Sequence, residues 1–504
     1  MIVRIDEKTN RQFPEPLVSI LRRQGIYISL PCGGTGQCGK CLVRVKEGSL
    51  AVTQADREYL SEEQLKAGYR LGCQAIADQS CVLELEDRMA EKDFFIPAAG
   101  VLKKEDSENP DQLGIAVDIG TTTIAMALVN MDNGSICRAY TGLNHQRSYG
   151  ADVMTRIRAS MNGEGEELRR IIRHDLAEGF RQLTAEENRK IEIIVIAGNT
   201  TMMHLLRGYD CSGLGRYPFQ PYTLEFEHLT LTELLGMSIA GMEHAEVTLM
   251  PGISAFIGGD ITAGLWGCGI LNSEKPCLFL DLGTNAEMAV GCKGHILTTS
   301  AAAGPAFEGG QMSCGVGSIS GAIKDIKIQY GLVRYETIGR RPPVGICGTG
   351  IVAGMSELRK AGIMDSDGML RARYASGGFQ IVPGKIRITQ SDIREFQKAK
   401  AAIRAGLEIL MSSGGYEVRD IASMELAGGF GCQMDACRAS DVGLIPAELS
   451  GCVHAVGNTV IKGLISYMMS RDESGVLKMI GSTRGFSLAD HPAFTEKYLK
   501  YVRF

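Results

Sequence analysis

The stretch LGIAVDIGTTT (residues 113–123) sets the architecture of most of this chain. Its apolar run ends on an aspartate and turns through Gly-Thr, which is typical of a buried strand feeding a loop. Similar runs recur at IEIIVIAGNTT (191–201), CLFLDLGTN (277–285), VGICGTG (344–350) and SMELAGGFG (423–431). Helical patterns lie between them, such as EELRRIIRHDLAEGFRQL (166–183) and SDIREFQKAKAAIRAGLEIL (391–410). Strands alternating with helices predict α/β layers, and the two distant Asp-x-Gly-Thr turns indicate two related halves.

Composition and charge limit the class of protein. The chain has 504 residues and a net charge of −5, so it lacks the basic excess of a nucleic-acid binder. No apolar run approaches the roughly 18 residues of a membrane span, and the N-terminus carries charges where a secretion signal has an apolar core. Fifteen cysteines without such a signal indicate a cytoplasmic protein whose cysteines are thiols or metal ligands. We expect neither nucleic-acid nor membrane partners.

The first 112 residues divide into two zones. Residues 1–86 alternate the strand patterns MIVRI, CLVRVKEG and CVLELE around a cysteine cluster, with one helical stretch, TQADREYLSEEQLKAG (53–68). Residues 87–112 are charged, contain two prolines and keep no period, which predicts a linker.

The cysteine cluster has three ligands on one loop and a fourth far away. Cys32, Cys38 and Cys41 lie in PCGGTGQCGKC (31–41), and Cys73 follows after 31 further residues. Zinc and iron both bind four thiolates, but structural zinc sites usually use two close pairs. Glycines let a chain approach a cluster closely and turn backbone N–H groups toward sulfur. The pattern favours a [2Fe–2S] cluster over zinc, with Cys81 expected in the core.

This segment resembles the [2Fe–2S] ferredoxin domains of β-grasp fold, on LPCGGTGQCGKC and YRLGCQ. Its first cysteine spacing is one residue longer than the plant-type C-x4-C-x2-C spacing. The longer spacing is familiar from other members of that superfamily. The resemblance implies an α+β domain over residues 1–86.

The two Asp-x-Gly-Thr turns predict a nucleotide site. In DIGTTT and DLGTN, backbone N–H groups and hydroxyls can bind phosphate oxygens. Asp118 and Asp281 would be repelled by phosphate, so each is expected to hold a metal ion or position a water. A third turn, AGGFG (427–431), would let a backbone approach an adenosine flat-on. The chain has no GxxxxGK[ST] motif and therefore no P-loop.

Together these turns resemble the phosphate-one, phosphate-two and adenosine motifs of the sugar and acetate kinase, heat-shock chaperone and actin superfamily. The resemblance implies a two-lobed actin-like ATPase domain over residues 113–504. Its lobes would span about 113–275 and 276–465, with the C-terminal tail returning to the first lobe. Asp118 and Asp281 would handle Mg²⁺ and the attacking water, and Lys400 would border the nucleoside. ATP would contact Gly120, Thr121, Thr122, Thr123, Gly283, Thr284, Asn285, Gly428, Gly429 and Phe430.

Three further features carry open alternatives. Glu308, in the small-residue loop 300–318, would orient a catalytic water or contact a partner, or be a solvated loop acid. Asp260 would be a metal-binding or water-orienting acid, or only a helix cap. Cys432 and Cys437 lack partners at ligand spacing, so we interpret them as buried thiols.

A cluster domain joined to an ATPase predicts nucleotide-driven electron transfer. A plant-type cluster lies near about −400 mV, and each further 100 mV costs about 2.3 kcal/mol per electron. The whole chain is similar to the reductive activators of corrinoid proteins, on GPAFEGG, GICGTG and AGGFG among other segments. That resemblance implies ATP- and Mg²⁺-dependent reduction of a Co(II) corrinoid to Co(I). The partners would be a corrinoid protein of a methyltransferase system and a low-potential electron donor.

The same resemblance implies a cytoplasmic homodimer. Two alternative functions stay open at this point. One is a redox-gated, chaperone-like ATPase that binds a partner without transferring electrons, and the other is a small-molecule kinase.

Overall fold

The computed structural model describes residues 1–6, 13–85, 112–185, 187, 189–304, 306–310, 312–429 and 434–504. The predicted linker therefore lies outside the described residues except for Gln112, and so do Phe430 and Cys432. Within the described part of the chain, no helix is long and apolar enough to cross a membrane.

The N-terminal domain is a small sheet packed on one main helix. Its strands are β1 (Ile2–Ile5), β2 (Glu15–Pro16), β3 (Leu42–Glu47), β4 (Tyr69–Leu71), β5 (Ile76–Ala77) and β6 (Cys81–Leu85). The order β1-β6-β3-β4 forms one sheet, while β2 pairs with β5. Helix α1 (Leu17–Arg23) buries Leu17, Ile20 and Leu21 against this sheet. The predicted ferredoxin-like α+β domain is confirmed.

The helical stretch predicted over 53–68 is two short helices, α2 (Gln54–Tyr59) and α3 (Glu62–Lys66). The break occurs because Ser61 forms a second capping box. Its hydroxyl accepts from the Gln64 N–H at 3.2 Å, and the Gln64 side chain accepts from the Ser61 N–H at 2.9 Å.

Residues 113–504 form two lobes, each built on a six-stranded sheet. The first contains β7 (Leu113–Ile119), β8 (Thr123–Asn130), β9 (Ile136–Leu143), β10 (Ile191–Gly198), β11 (Glu227–Thr230) and β12 (Glu246–Leu249). Two smaller sheets lie between these in the sequence. One contains β16 (Ala322–Gln329), β17 (Leu332–Thr337) and β18 (Gly345–Ile346), and the other contains β19 (Phe379–Val382) and β20 (Ile386–Ile388). The second large sheet contains β13 (Cys277–Leu282), β14 (Ala286–Cys292), β15 (His295–Ala301), β21 (Ser423–Ala427), β22 (Val453–Gly457) and β23 (Thr483–Gly485).

The two large sheets repeat one plan. Their orders are β11-β12-β10-β7-β8-β9 and β22-β21-β13-β14-β15-β23. In each, three consecutive antiparallel strands (β7-β8-β9 and β13-β14-β15) adjoin a parallel strand, β10 or β21. The turns are similar, because a glycine N–H donates back across each, from Gly120 to Thr123 O and from Gly283 to Asn285 O, both at 2.9 Å, although the first turn is one residue longer. The prediction of two related halves is confirmed.

Helices cover both faces of the sheets. They are α4 (Val153–Ala159), α5 (Gly165–Leu183), α6 (Thr200–Arg207), α7 (Leu231–Leu235), α8 (Gly259–Cys268), α9 (Gly348–Lys360), α10 (Gln390–Ser413), α11 (Ala436–Asp441), α12 (Thr459–Ser470), α13 (Glu473–Gly481) and α14 (Phe494–Val502). Helix α10 begins one residue before the stretch predicted from Ser391. Thr389 is its cap, because the Asp392 carboxylate accepts from the Thr389 N–H at 2.8 Å.

The C-terminal region crosses between the lobes twice. Helix α12 packs beside α8 and buries Val460 and Leu464 against the sheet of the first lobe. Strand β23 then pairs with β15 of the second lobe, and α14 packs on α10. The return to the first lobe therefore begins at Thr459 rather than near 465, and the last twenty residues lie on the second lobe, unlike the predicted tail.

Candidate nucleotide and iron–sulfur sites

The four predicted cluster cysteines come together in two pairs. The Cys41 thiol hydrogen-bonds the Cys73 sulfur, and Cys32 hydrogen-bonds Cys38. The hydrogen bond from Cys41 lowers the pKa of the Cys73 thiol below its ordinary value, even though burial opposes ionisation. Burial also acts to raise the pKa of Cys32. Hydrogen bonds from Thr35 and backbone amides outweigh the effect of burial, and the pKa of Cys32 is lowered to about 7.

The loop between these cysteines turns its backbone toward sulfur. Gly33, Gly34, Gly36 and Gly39 all have φ between 65° and 83°, a region that side chains with a Cβ rarely adopt. The N–H groups of Gly34 and Gln37 donate to the Cys32 sulfur. The Lys40 N–H donates to the Cys38 sulfur, and the Gly36 N–H donates to the Cys73 sulfur.

This donor set fits a two-iron cluster. Each iron of a [2Fe–2S] centre takes two of four cysteines, and the pairs Cys32–Cys38 and Cys41–Cys73 match that division. The amide donors would stabilise the negative charge on a cluster's sulfurs. Cys81 lies on β6, is 3% exposed and belongs to the apolar core, as predicted.

The predicted phosphate turns follow the equivalent strands β7 and β13. Asp118 and Asp281 lie near the ends of these strands. Burial raises the pKa of Asp118 to about 6. Burial, together with the charges of Asp260 and Asp118, raises the pKa of Asp281 to about 8. The two carboxylates therefore lie within electrostatic reach of each other, as a two-sided nucleotide clamp requires.

Two further acids belong to this group. Asp260 lies in the first turn of α8, where it accepts from the Ile261 N–H at 2.8 Å, and its pKa is raised to about 7 by burial and by Asp118. Glu287, on β14, was not predicted; burial and the charges of Asp260 and Asp281 raise its pKa well above the ordinary value. Buried carboxylates with raised pKa values mark this cleft as a functional site.

The group suits Mg²⁺ held partly through water. Among the described residues, no three His, Cys, Asp or Glu side chains converge closely enough to hold one ion. Mg²⁺ usually keeps several waters and takes one or two carboxylates together with substrate phosphates. Asp118 and Asp281, facing each other across the cleft, are the residues that would hold it.

Two asparagines that the sequence did not single out bind the first phosphate turn. The Asn458 side chain donates to Asp118 Oδ2 at 2.7 Å and accepts from the Ile461 N–H, capping α12. The Asn199 side chain donates to Thr121 Oγ1 at 3.1 Å and caps α6. Each asparagine follows a strand and begins a helix, which is the sequence signal that could have identified it.

Glu308 bridges the two lobes. Its Oε2 atom accepts from Thr284 Oγ1 at 2.8 Å and from Thr122 Oγ1 at 3.4 Å. Burial raises its pKa, against these hydrogen bonds and the charge of Arg156. The interpretation as a solvated loop acid is therefore wrong, because both phosphate turns contact this carboxylate. Thr122 and Thr284 are the hydroxyls that the sequence assigns to phosphate.

The adenosine turn abuts the second phosphate turn. Gly428 has φ of 94°, and a Cβ there would lie 2.8 Å from Asp281 Oδ1. A Cβ on Gly429 would have no atom of the described residues within 4 Å, which suits the flat approach of an adenosine. Lys400 is 1% exposed, and its ammonium donates to Arg503 O at 2.5 Å. That Lys400 borders the nucleoside stays a prediction.

The prediction that Cys437 is a buried thiol is wrong. It is exposed in the first turn of α11, because that short helix buries only Ala439. The other member of the pair, Cys432, lies outside the described residues.

The ferredoxin-type domain rests on the first lobe beside its cluster loop. Leu30 N–H donates to Arg147 O at 3.3 Å, and Ala151 N–H donates to Pro31 O at 3.5 Å. A polypeptide that joins four paired cysteines to a two-lobed nucleotide cleft is an iron–sulfur ATPase.

Comparison with known proteins places the chain in a family. Residues 4–78 match the 2Fe-2S iron-sulfur cluster binding domain. Residues 113–273 match the RACo middle region, and residues 275–504 match the C-terminal domain of RACo, the ASKHA domain. The chain belongs to the RACo family, with a ferredoxin domain ahead of an actin-like ATPase domain.

Individual relatives cover most of the chain. It is 29% identical to the corrinoid activation enzyme RamQ of Eubacterium limosum, over 97% of this chain and 96% of that protein. It is 26% identical to the [Co(II) methylated amine-specific corrinoid protein] reductase of Methanosarcina barkeri, over 69% and 68%. A solved structure, a reductive activator for corrinoid,iron-sulfur protein, is 27% identical with a TM-score of 0.71, covering 100% of this chain and 96% of that one.

Proposed function

We propose that this protein is an ATP-dependent reductive activator of a corrinoid protein. It transfers one electron to the Co(II) corrinoid of a methyltransferase-system protein and so restores Co(I). The observation that carries the proposal is the presence of two sites in one chain, the paired cysteines and the carboxylate-lined nucleotide cleft. The domains that carry them are in contact through Pro31 and Ala151. The full-length similarity to corrinoid activators and reductases supports it.

The residues divide the work between the two sites. The cluster, when bound by Cys32, Cys38, Cys41 and Cys73, supplies a one-electron carrier near about −400 mV. The threonines and glycines of the two phosphate turns bind the ATP phosphates. Asp118 and Asp281 would hold Mg²⁺ and the attacking water, while Glu308, between the turns, would orient or deprotonate that water.

The direction of electron flow explains the need for ATP. An acceptor about 200 mV below the cluster costs about 4.6 kcal/mol per electron, at 2.3 kcal/mol for each 100 mV. Closure of two lobes around a nucleotide is a conformational change that can offset such a cost. We further propose that the protein is a cytoplasmic homodimer and receives its electrons from a low-potential donor.

An anaerobic titration tests this function. Cluster-loaded protein, a low-potential reductant and a Co(II) corrinoid protein are mixed with and without MgATP, and corrinoid absorbance is followed. We expect conversion of Co(II) to Co(I) only with MgATP, together with phosphate release that rises with the corrinoid protein. A kinase would instead phosphorylate a small molecule. A chaperone-like binder would release phosphate without any change at cobalt.

A further inference from the structure

The ferredoxin domain is held by a short segment of the first lobe, residues 145–155, which we term the docking segment. The Arg22 guanidinium donates to Ser148 O at 2.5 Å and stacks over the Tyr149 ring at 3.5 Å from its centroid. Tyr27 contacts the His145 ring with centroids 5.3 Å apart. These side-chain contacts add to the two backbone bonds made by the cluster loop, so most of the docking contacts converge on this segment.

The cluster loop itself lies close to the docking segment. A Cβ on Gly33, the residue after Cys32, would collide with the Thr155 side chain. Pro31, the residue before Cys32, accepts from Ala151 N–H. The docked position therefore covers part of the loop through which an electron would pass to a partner.

The two residues that bracket the docking segment hold the first phosphate turn. Asn144 donates its side-chain amide to Gly120 O at 2.9 Å and its backbone N–H to Thr122 O at 3.0 Å. Arg156 donates Nη2 to Thr121 O. Three consecutive carbonyls of the first phosphate turn are thus bound by the two residues that bracket the docking segment.

Arg156 also holds the docking segment. It is fully buried, and its Nε donates to Gly150 O at 3.0 Å while Nη1 contacts Met202 Sδ at 3.2 Å. None of its three acceptors carries a full negative charge. The charges of Asp152, Glu308 and Asp175 act on this guanidinium, but none of these carboxylates is among its three acceptors. A phosphate entering the turn would add a further negative charge on the Thr121 side of the guanidinium.

We propose that Arg156 couples the nucleotide site to the docking of the ferredoxin domain, so that nucleotide binding weakens docking. Phosphate draws the guanidinium toward the turn, and the bond from Nε to Gly150 O is lost. The docking segment then relaxes around Ala151, and the cluster loop becomes accessible to a partner. Arg156 acts here as a positioning residue. The inference rests on the proposed nucleotide site but not on the identity of the electron acceptor.

Linkage supplies the test, because two coupled equilibria affect each other by the same factor. If nucleotide binding opposes docking, weakening docking must tighten nucleotide binding. We therefore expect Arg22→Ala to lower the Kd for Mg²⁺ and a non-hydrolysable ATP analogue by about fivefold or more, in the cluster-loaded full chain. The same substitution in an Arg156→Met background should leave the Kd unchanged. Arg158→Met is the matched control, since Arg158 is an exposed residue on the same helix.

Hydrogen exchange provides the second measurement. The analogue should speed exchange of backbone amides in residues 26–34 of the wild-type chain and of Arg158→Met, but not of Arg156→Met. Should Arg156→Met fail to fold, Arg156→Lys replaces it, because lysine keeps the charge but lacks the fork that reaches two carbonyls.

The outcomes separate this inference from the proposed function. If the wild-type chain and Arg22→Ala bind the ATP analogue with the same Kd, the coupling is overturned, while nucleotide-driven electron transfer is left intact. If Arg22→Ala still lowers the Kd in the Arg156→Met background, the role of Arg156 is overturned. Absence of nucleotide binding in every variant would overturn both the coupling and the proposed function.

Discussion

Asn458 and Asp118 lie 340 residues apart in sequence, yet the amide of the first donates to the carboxylate of the second at 2.7 Å. The bond links the start of α12 to the first phosphate turn. It brings the C-terminal region into the nucleotide site.

Replacing Asn458 should damage both stability and hydrolysis. Asn458→Ala removes a helix cap, worth about 1 kcal/mol, and a hydrogen bond to a charged group, worth about 1.5–3 kcal/mol. Urea unfolding and phosphate-release assays measure the two losses. Asn458→Ser is the matched control, since serine keeps the cap but lacks the amide that reaches Asp118. Asn458→Ser should recover the part of the free energy of unfolding that comes from the helix cap, while hydrolysis stays impaired. Full recovery of hydrolysis would contradict a role for the Asn458–Asp118 hydrogen bond in the nucleotide site.

Glu308→Gln should separate nucleotide binding from turnover. The substitution removes the negative charge that the Glu308 carboxylate places beside the Thr122 and Thr284 hydroxyls. The affinity for nucleotide should therefore stay the same or increase. Loss of a general base should slow hydrolysis about a hundredfold or more. Calorimetry and steady-state phosphate release give the two quantities. Thr284→Val is the comparison and should weaken binding itself. A normal turnover rate in Glu308→Gln would remove Glu308 from the catalytic group.

The two glycines of the adenosine turn should respond differently to alanine. At Gly428 a Cβ meets Asp281 and the backbone has positive φ, so Gly428→Ala should lower stability by about 1–2 kcal/mol and weaken nucleotide binding. At Gly429 a Cβ would meet none of the described residues within 4 Å, so Gly429→Ala should unfold normally yet bind ATP more weakly. Thermal unfolding and nucleotide titration of both variants test this. Unaltered ATP affinity in Gly429→Ala would place the adenosine elsewhere.

Cys38→Ser should abolish the cluster and spare nucleotide binding, because the cysteines and the phosphate turns belong to separate domains. Visible absorption and electron paramagnetic resonance report the cluster, and calorimetry reports nucleotide affinity. Cys81→Ala is the matched control within the ferredoxin domain. It should retain the cluster, since Cys81 lies in the apolar core. Loss of the cluster in that control would mean that the ligand set is misassigned.

Lys400 should make stability depend on pH. Burial lowers its pKa to about 7 from 10.5, with Arg404 and Arg359 adding to the shift. Between these values the unfolded chain binds more protons, so the free energy of unfolding should rise with pH from about 7 toward 10. Lys400→Met should flatten that rise, whereas Lys398→Met, which changes an exposed lysine of the same helix, should not. Urea unfolding at several pH values measures the slopes.

The same Lys400→Met variant tests the sequence-based prediction that this residue borders the nucleoside. A fall in ATP affinity would support it. Unchanged affinity would mean that the ammonium serves only the C-terminal end, where it binds Arg503 O.

The sequence by itself determined the order of the domains and predicted the two sites. Cys32, Cys38, Cys41 and Cys73 could be predicted as ligands because a cluster loop needs glycines and a regular cysteine spacing, and both are visible along the chain. Asp118 and Asp281 could be predicted for a similar reason, since each lies where an apolar strand ends in a Gly-Thr turn. Apart from Cys73, these signals each span fewer than a dozen residues and require no knowledge of distant contacts.

Only the tertiary structure decided which distant groups complete those sites. Glu287 and Arg156 carry no local pattern that distinguishes them from an ordinary strand acid or helix arginine, and the pattern around Asn458 predicts a helix cap but not its bond to Asp118. Their roles arise because the sheets bring strand ends together and because α12 crosses to the first lobe. The contact of the cluster loop with Ala151 is likewise a product of domain docking. Electrostatic reach and burial depend on distances through space, which a linear pattern does not record.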